Sequence, residues 1–294
     1  MSDAGSEVRS TEQPGDEPIP PEEVTAKARV ASTFSAAAET YDTEVSYFAP
    51  FGRALVAEAE LVAGERVLDV ASGRGASFWP ALDAVGPTGA VTGIDLAQGM
   101  VERLAADVTT RGVTNVEVRV ADAEHLDEPD ATFDAVLGGF MIFFPPQPPR
   151  VLAELHRVLR PGGRLALSIF DGKAGFAFQE DVLAELGFAD SARGPAGEFN
   201  RASVLEPALE DAGFVDVAGT PVQATVRFTS ADHVERWQRS HGLRGILGQF
   251  DDLQLARYRG LLAEALGAYR VGNGYELAQD ARIVVAHKPS ALPI

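Results

Sequence analysis

Strand-like runs that alternate with helical segments constrain this chain most. ERVLDV (65–70) reads as a buried strand, ASFWPALDAV (76–85) as a helix, AVTGID (90–95) as a second strand, LAQGMVERLAADVTTRG (96–112) as a helix closed by Gly112, and VEVRVAD (116–122) as a third strand. FDAVLGGF (133–140) and RLALSIF (164–170) continue the series, separated by the helix PRVLAELHRVLRPGG with its Pro-Gly-Gly stop. Short β runs alternating with helices predict an α/β fold with a doubly wound, mostly parallel sheet. The 294 residues suffice for one large domain carrying an insertion.

The rhythm changes at both ends. Residues 1–26 are rich in Pro, Glu, Ser and Asp, too polar to offset ordering entropy, and are expected to form a disordered acidic tail. Residues 27–171 hold N-terminal helices and the cofactor-binding core, and 172–228 form a substrate-side segment and a sheet edge. Helical patterns fill 229–275, and 276–294 supply a last strand, ARIVVAHK, and a tail. On this reading the chain leaves the sheet near residue 229 and returns near 282. The intervening helices then cap the carboxyl ends of the strands, where open α/β sheets bind ligands.

Composition narrows the partners. There are 43 Asp and Glu against 25 Lys and Arg, a formal charge of -18, which disfavours nucleic acid and anionic membranes. The absence of cysteine excludes disulfides and thiolate chemistry. The chain shows neither a membrane-spanning run nor a signal-peptide pattern, so a cytoplasmic location, a small-molecule partner and a monomer or homodimer are expected.

The turn after the first strand, Ala71-Ser72-Gly73-Arg74-Gly75, lets a ligand approach the backbone and offers free helix N–H groups. A dinucleotide or S-adenosylmethionine fits, and Asp95 at the end of the second strand suits the ribose of either. Asp122-Ala123, ending the third strand, suits an adenine edge.

VLDVASGRG, GIDLAQGM, VADAEHL, FDAVLGGF and LRPGGRLAL, in this order and spacing, resemble the class I S-adenosylmethionine-dependent methyltransferases. The resemblance is strongest to the branch of ubiquinone and menaquinone C-methyltransferases and many small-molecule methyltransferases. It implies a Rossmann-like, seven-stranded, mostly parallel sheet with an inserted helical substrate cap. It also implies that Asp69, Ala71 and Gly73 line the methionine moiety, Asp95 and Leu96 the ribose, Met100 an adenine face, and Asp122 and Ala123 its edge. Gly138 would lie beneath the methionine portion, and Tyr41, in a Tyr-Asp pair, would cover the cofactor. The family's usual glycine at position 71 is alanine here, which is compatible if the backbone keeps negative φ.

A sulfonium is already activated, so the protein has to align an acceptor and exclude water, and no metal is expected. Phe140, Phe143, Phe170, Phe176 and Trp237 would line a pocket for an aromatic, quinone-like or polyketide-like acceptor. Among bases for a hydroxyl acceptor, His241 is the first choice ahead of His233, Asp171 and Glu180. Two alternatives stay open: a protein of this fold that binds S-adenosylmethionine but performs another reaction or only binds, and an NAD(P)-dependent oxidoreductase.

Overall fold

The computed structural model describes residues 21–171, 177–188 and 196–290. Residues 1–20 of the expected tail lie outside them. The segment 21–26 opens helix α1 (Pro21–Ala37), so the chain turns helical six residues earlier than its composition suggests. Pro21 stands at the start of that helix, where its missing N–H costs nothing.

Helix α2 (Ala49–Glu58) leads to β1 (Arg66–Val70), α3 (Phe78–Val85), β2 (Ala90–Asp95), α4 (Gln98–Arg111), β3 (Val116–Val120), β4 (Phe133–Gly139), α5 (Pro148–Val158) and β5 (Leu159–Ile169). Gly112 closes α4 in the left-handed conformation, at φ 66°, as its sequence position predicts. Helices α6 (Ala177–Glu185) and α7 (Ala202–Asp211) precede β6 (Val215–Phe228). Helices α8 (Ala231–Arg239), α9 (Arg244–Leu247) and α10 (Asp252–Ala265) then lead into β7 (Arg270–Val271) and β8 (Gly274–His287).

The sheet runs in the order β3-β2-β1-β4-β5-β8-β6, with the two-residue β7 paired to β8. The first five strands are parallel, and β8 runs antiparallel between β5 and β6. This is the expected mostly parallel sheet, seven strands along its path. It is packed on both faces because residues two apart point the same way. Leu68, Val70, Val136, Leu165 and Leu167 join α5 and α7 in one apolar cluster; Val67, Val91, Ala135, Leu137 and Ala166 join Phe78, Ala81 and Leu104 in the other. Each fully buried leucine-sized side chain contributes about 1.5–3 kcal/mol.

The last strand is longer than ARIVVAHK. It begins at Gly274, and Tyr275, Leu277, Gln279, Ala281 and Ile283 alternate inward along it. Gln279 hid this stretch from a reading based on apolar periodicity. Its amide is fully buried but satisfied, since the Tyr47 hydroxyl donates to Oε1 at 2.8 Å. Strands β6 and β8 therefore form a long ribbon, in register from Ala218–Val285 to Phe228–Tyr275, with α8–α10 spliced in at its far end.

Candidate active site

Two cavities meet at the carboxyl ends of the parallel strands. The smaller, about 120 Å³, runs between the β1–α3 loop and the ends of β2 and β3; Ala71, Gly73, Asp95, Leu96, Met100, Asp122 and Ala123 lie on its wall. The larger, about 600 Å³, continues past the same loop to the cap, and Tyr41, Gly73, Gly139 and Phe140 border both.

The loop is shaped for close approach. Gly73 and Gly75 have φ of 52° and 88°, and a Cβ on Gly75 would meet the Trp79 ring at 2.6 Å. Ala71 sits at φ 55°, contrary to the expected negative value. Alanine therefore holds a left-handed backbone that glycine would adopt without its Cβ penalty. Asp42 (φ 57°) and Phe140 (φ 51°) are also left-handed and also border the larger cavity, so backbone strain gathers at this site.

Asp95 ends β2, and its carboxylate accepts from the N–H of Gly73 at 2.9 Å and of Ala97 at 2.8 Å. Burial pushes its pKa up, against these donors. A carboxylate has about four lone-pair sites, so acceptor capacity for ribose hydroxyls is left. Met100, buried, lines the same cavity and offers it an apolar thioether.

Asp122 lies at the end of β3, but it already holds a cation. Lys27 Nζ, from α1, stands 2.6 Å from Asp122 and 2.6 Å from Glu124. Burial lowers the Lys27 pKa, but hydrogen bonds to both carboxylates outweigh it and leave the pKa raised. Asp122, Glu124 and His125 are close enough together to bind a cation, and the lysine ammonium already pairs with both carboxylates of that group. Lys27 was not legible as a site residue, because nothing local to residue 27 foretells contact with residue 122.

Several expected residues fall elsewhere. Asp69 does not border either cavity. It is fully buried behind the loop, where Ser77 donates its hydroxyl to both carboxylate oxygens at 2.8 and 3.0 Å. Burial first, and then the charge of Asp95, push its pKa up to about 7. Gly138 is inside β4, where a Cβ would meet Leu167 at 2.6 Å; the glycine on the cavity wall is Gly139. Trp237 is buried in the cap against Tyr47, Phe228 and His241 and lines neither of these two cavities. Phe176 lies outside the described residues.

The aromatic wall is otherwise present and larger than expected. Phe140 stacks on Phe170 at 4.2 Å, with Phe143 at 6.1 Å from Phe170. Tyr41 lies parallel to Phe48, 5.5 Å away with 1° between the rings. Phe48, missed in the sequence, is positioned by Asp42, which accepts the N–H groups of Tyr47 and Phe48. Burial raises the pKa of Asp42 to about 7 despite these donors. His241, on the turn after α8, borders the same cavity and packs 4.8 Å from Tyr41 and 5.5 Å from Phe48.

A parallel-dominated sheet with a glycine loop after β1 and carboxylates ending β2 and β3 defines a nucleotide-cofactor fold of the Rossmann-like class. Residues 67–163 match the methyltransferase domain family. Over 227 residues the chain is 33% identical to nocamycin O-methyltransferase of Saccharothrix syringae, covering 72% of this chain and 81% of that protein. Over 143 residues it is 42% identical to aklanonic acid methyltransferase DauC of Streptomyces sp. strain C5, covering 48% of this chain and 65% of that one. A Bacillus halodurans C-125 crystal structure shares the fold at a TM-score of 0.54 and 23% identity, over 84% of this chain and all of that one. The chain belongs to the S-adenosylmethionine-dependent methyltransferases. The lining of the smaller cavity fits the family's cofactor, with apolar contacts at Met100 and Ala123 and a carboxylate at Asp95.

Proposed function

We propose that this protein transfers the methyl group of S-adenosylmethionine to a small, flat, aromatic, quinone-like or polyketide-like molecule. The observation that carries this reading is the continuity of the two cavities, because a ligand in the smaller one adjoins the 600 Å³ space walled by Tyr41, Phe48, Phe140, Phe143 and Phe170. Such a wall excludes water from the reaction and offers π faces to a planar acceptor and to a sulfonium. The two relatives are named for acceptors of that broad kind, aklanonic acid and nocamycin. The bound S-adenosylmethionine supplies an activated methyl group; the chain supplies position. Asp95 and the Gly73 turn fix the cofactor, and the rings fix the acceptor plane.

The test is incubation with S-adenosylmethionine carrying a labelled methyl group and a panel of hydroxyanthraquinones, naphthoquinols and amines. Label in a planar acceptor is the expected result. Binding of S-adenosylhomocysteine with no label in any acceptor would instead favour a protein that keeps the cofactor and abandons the transfer.

A further inference from the structure

We propose that Asp42 is the counter-charge to the cofactor's sulfonium, so that the site binds the cationic S-adenosylmethionine more tightly, relative to its neutral product, than an uncharged wall would. This inference rests on the cofactor reading above.

Asp42 follows Tyr41, whose side chain borders both cavities, and stands on the wall of the larger one. Asp69 is fully buried, whereas Asp42 retains exposed surface beside that cavity. The carboxylate has no ion-pair partner among the described residues. Oδ1 accepts the N–H of Tyr47 at 2.7 Å, while Oδ2 has a single long bond, from the N–H of Phe48 at 3.4 Å. The charge of Arg74 acts on Asp42, but that guanidinium is bonded to the Ala38 carbonyl and to Asp107. Beside the carboxylate, Tyr41 and Phe48 lie parallel with their rings 5.5 Å apart. Aromatic faces and an unpaired carboxylate both attract a cation.

The cation that reaches this point belongs to the cofactor. Burial first, and then the charges of Asp42 and Asp95, raise the pKa of the Tyr41 phenol, so both carboxylates stand near that side chain. With the ribose at Asp95, the remainder of the cofactor continues past Gly73 and Tyr41 into the larger cavity, on the side where Asp42 stands. Once the methyl group has left, the sulfur is an uncharged thioether. The carboxylate then faces no positive charge at the sulfur, and the product loses that attraction.

The effect depends on pH. Burial pushes the Asp42 pKa up to about 7, against the N–H groups of Tyr47 and Phe48 and the charge of Arg74. The counter-charge is therefore present above pH 7 and lost below it. Among the groups around it, the phenols of Tyr41 and Tyr47 are raised well above the usual range and His241 is lowered to about 4, each chiefly by burial, so none of them changes charge near pH 7. Arg74 stays protonated. Burial also raises Asp95 and Asp69, and variants separate these from Asp42.

The experiment measures by calorimetry, at pH 6 and pH 8, the affinity of wild type, Asp42→Asn and Asp69→Asn for sinefungin and S-adenosylhomocysteine. Sinefungin carries an ammonium group where S-adenosylmethionine has its sulfonium and transfers no methyl group. In wild type the preference for sinefungin over S-adenosylhomocysteine should rise about tenfold from pH 6 to pH 8, as expected for a cation that requires one ionised group of this pKa. Asp42→Asn can still accept from Tyr47 and Phe48. Its S-adenosylhomocysteine affinity should stay within about twofold, since a neutral sulfur has no charge to pair, and its preference should no longer change with pH. Asp69→Asn should keep the wild-type rise. A constant wild-type preference overturns the inference even if Asp42→Asn does not fold, and a rise that survives in Asp42→Asn overturns it equally. So does an equal gain for both ligands, which would put Asp42 on the α-ammonium that they share. These outcomes leave methyl transfer standing, because it is read from labelled acceptor; failure of either ligand to bind at any pH overturns the inference and the cofactor reading together.

Discussion

The carboxylate of Asp95 receives the N–H of Gly73 at 2.9 Å, tying the end of β2 to the loop that follows β1. The group suited to hold a ribose thus also holds the turn beside it in shape. Asp95→Ala removes both roles. Hydrogen bonds to a charged acceptor contribute about 1.5–3 kcal/mol each, so S-adenosylhomocysteine affinity should fall at least tenfold by calorimetry. An unchanged dissociation constant would place the ribose elsewhere.

Ala71 pays for its left-handed backbone with steric strain that glycine escapes. Ala71→Gly should raise stability by about 0.5–1 kcal/mol, net of the extra freedom glycine gives the unfolded chain. Thermal denaturation should register this as roughly 1–3 °C. A lower melting temperature would show that the Ala71 methyl makes contacts worth more than the strain.

Asp69 gives stability a readable pH dependence. Its folded pKa is raised from 3.8 to about 7, so the folded state binds the proton more tightly than the unfolded one. The resulting contribution is full below pH 4 and is lost as pH rises through 7, a swing on the order of 4 kcal/mol. Asp69→Asn carries no such charge and can still accept from Ser77. Relative to wild type it should be more stable at pH 8 than at pH 4.5. A mutant-to-wild-type difference that stays constant across this range would refute a buried, titrating Asp69.

Activity should persist in excess chelator. Lys27 already pairs with both Asp122 and Glu124, the acidic members of the group that brings His125 nearby, and a sulfonium donor needs no Lewis acid. Loss of turnover in EDTA, restored by magnesium, would mean that the ion displaces the lysine.

The central strands and the Asp95 position were legible because both are local in origin: a run of apolar residues makes the strand, and the residue at its end inherits the strand's direction. The same holds for Phe140, which follows β4. What escaped reading depends on meetings between distant segments. Lys27 finds Asp122 across 95 residues, and Tyr47 satisfies Gln279 across 232, so neither the clamp on the third strand's end nor the extra length of β8 has a local signature. Ala71 escaped for a different reason. Residue type sets the cost of a left-handed φ, and the ladder from Ser72 N–H to Ile94 O, with the Gly73 bond to Asp95, sets whether it is adopted.

The β6–β8 ribbon has a consequence for how such a protein can change. Its twelve paired positions fix Phe228 opposite Tyr275, and the helices that carry His241 leave and rejoin the chain at that one crossing. A segment of another length or sequence can be spliced between those two residues without shifting the register of any strand that carries Asp95, Gly139 or the glycine turn. The rim of the larger cavity at His241 and Gly242 is thereby free to vary while the strand ends stay in place, as with an exchangeable tool head on a constant handle. A change of length at that single joint alters the rim and leaves the sheet in register.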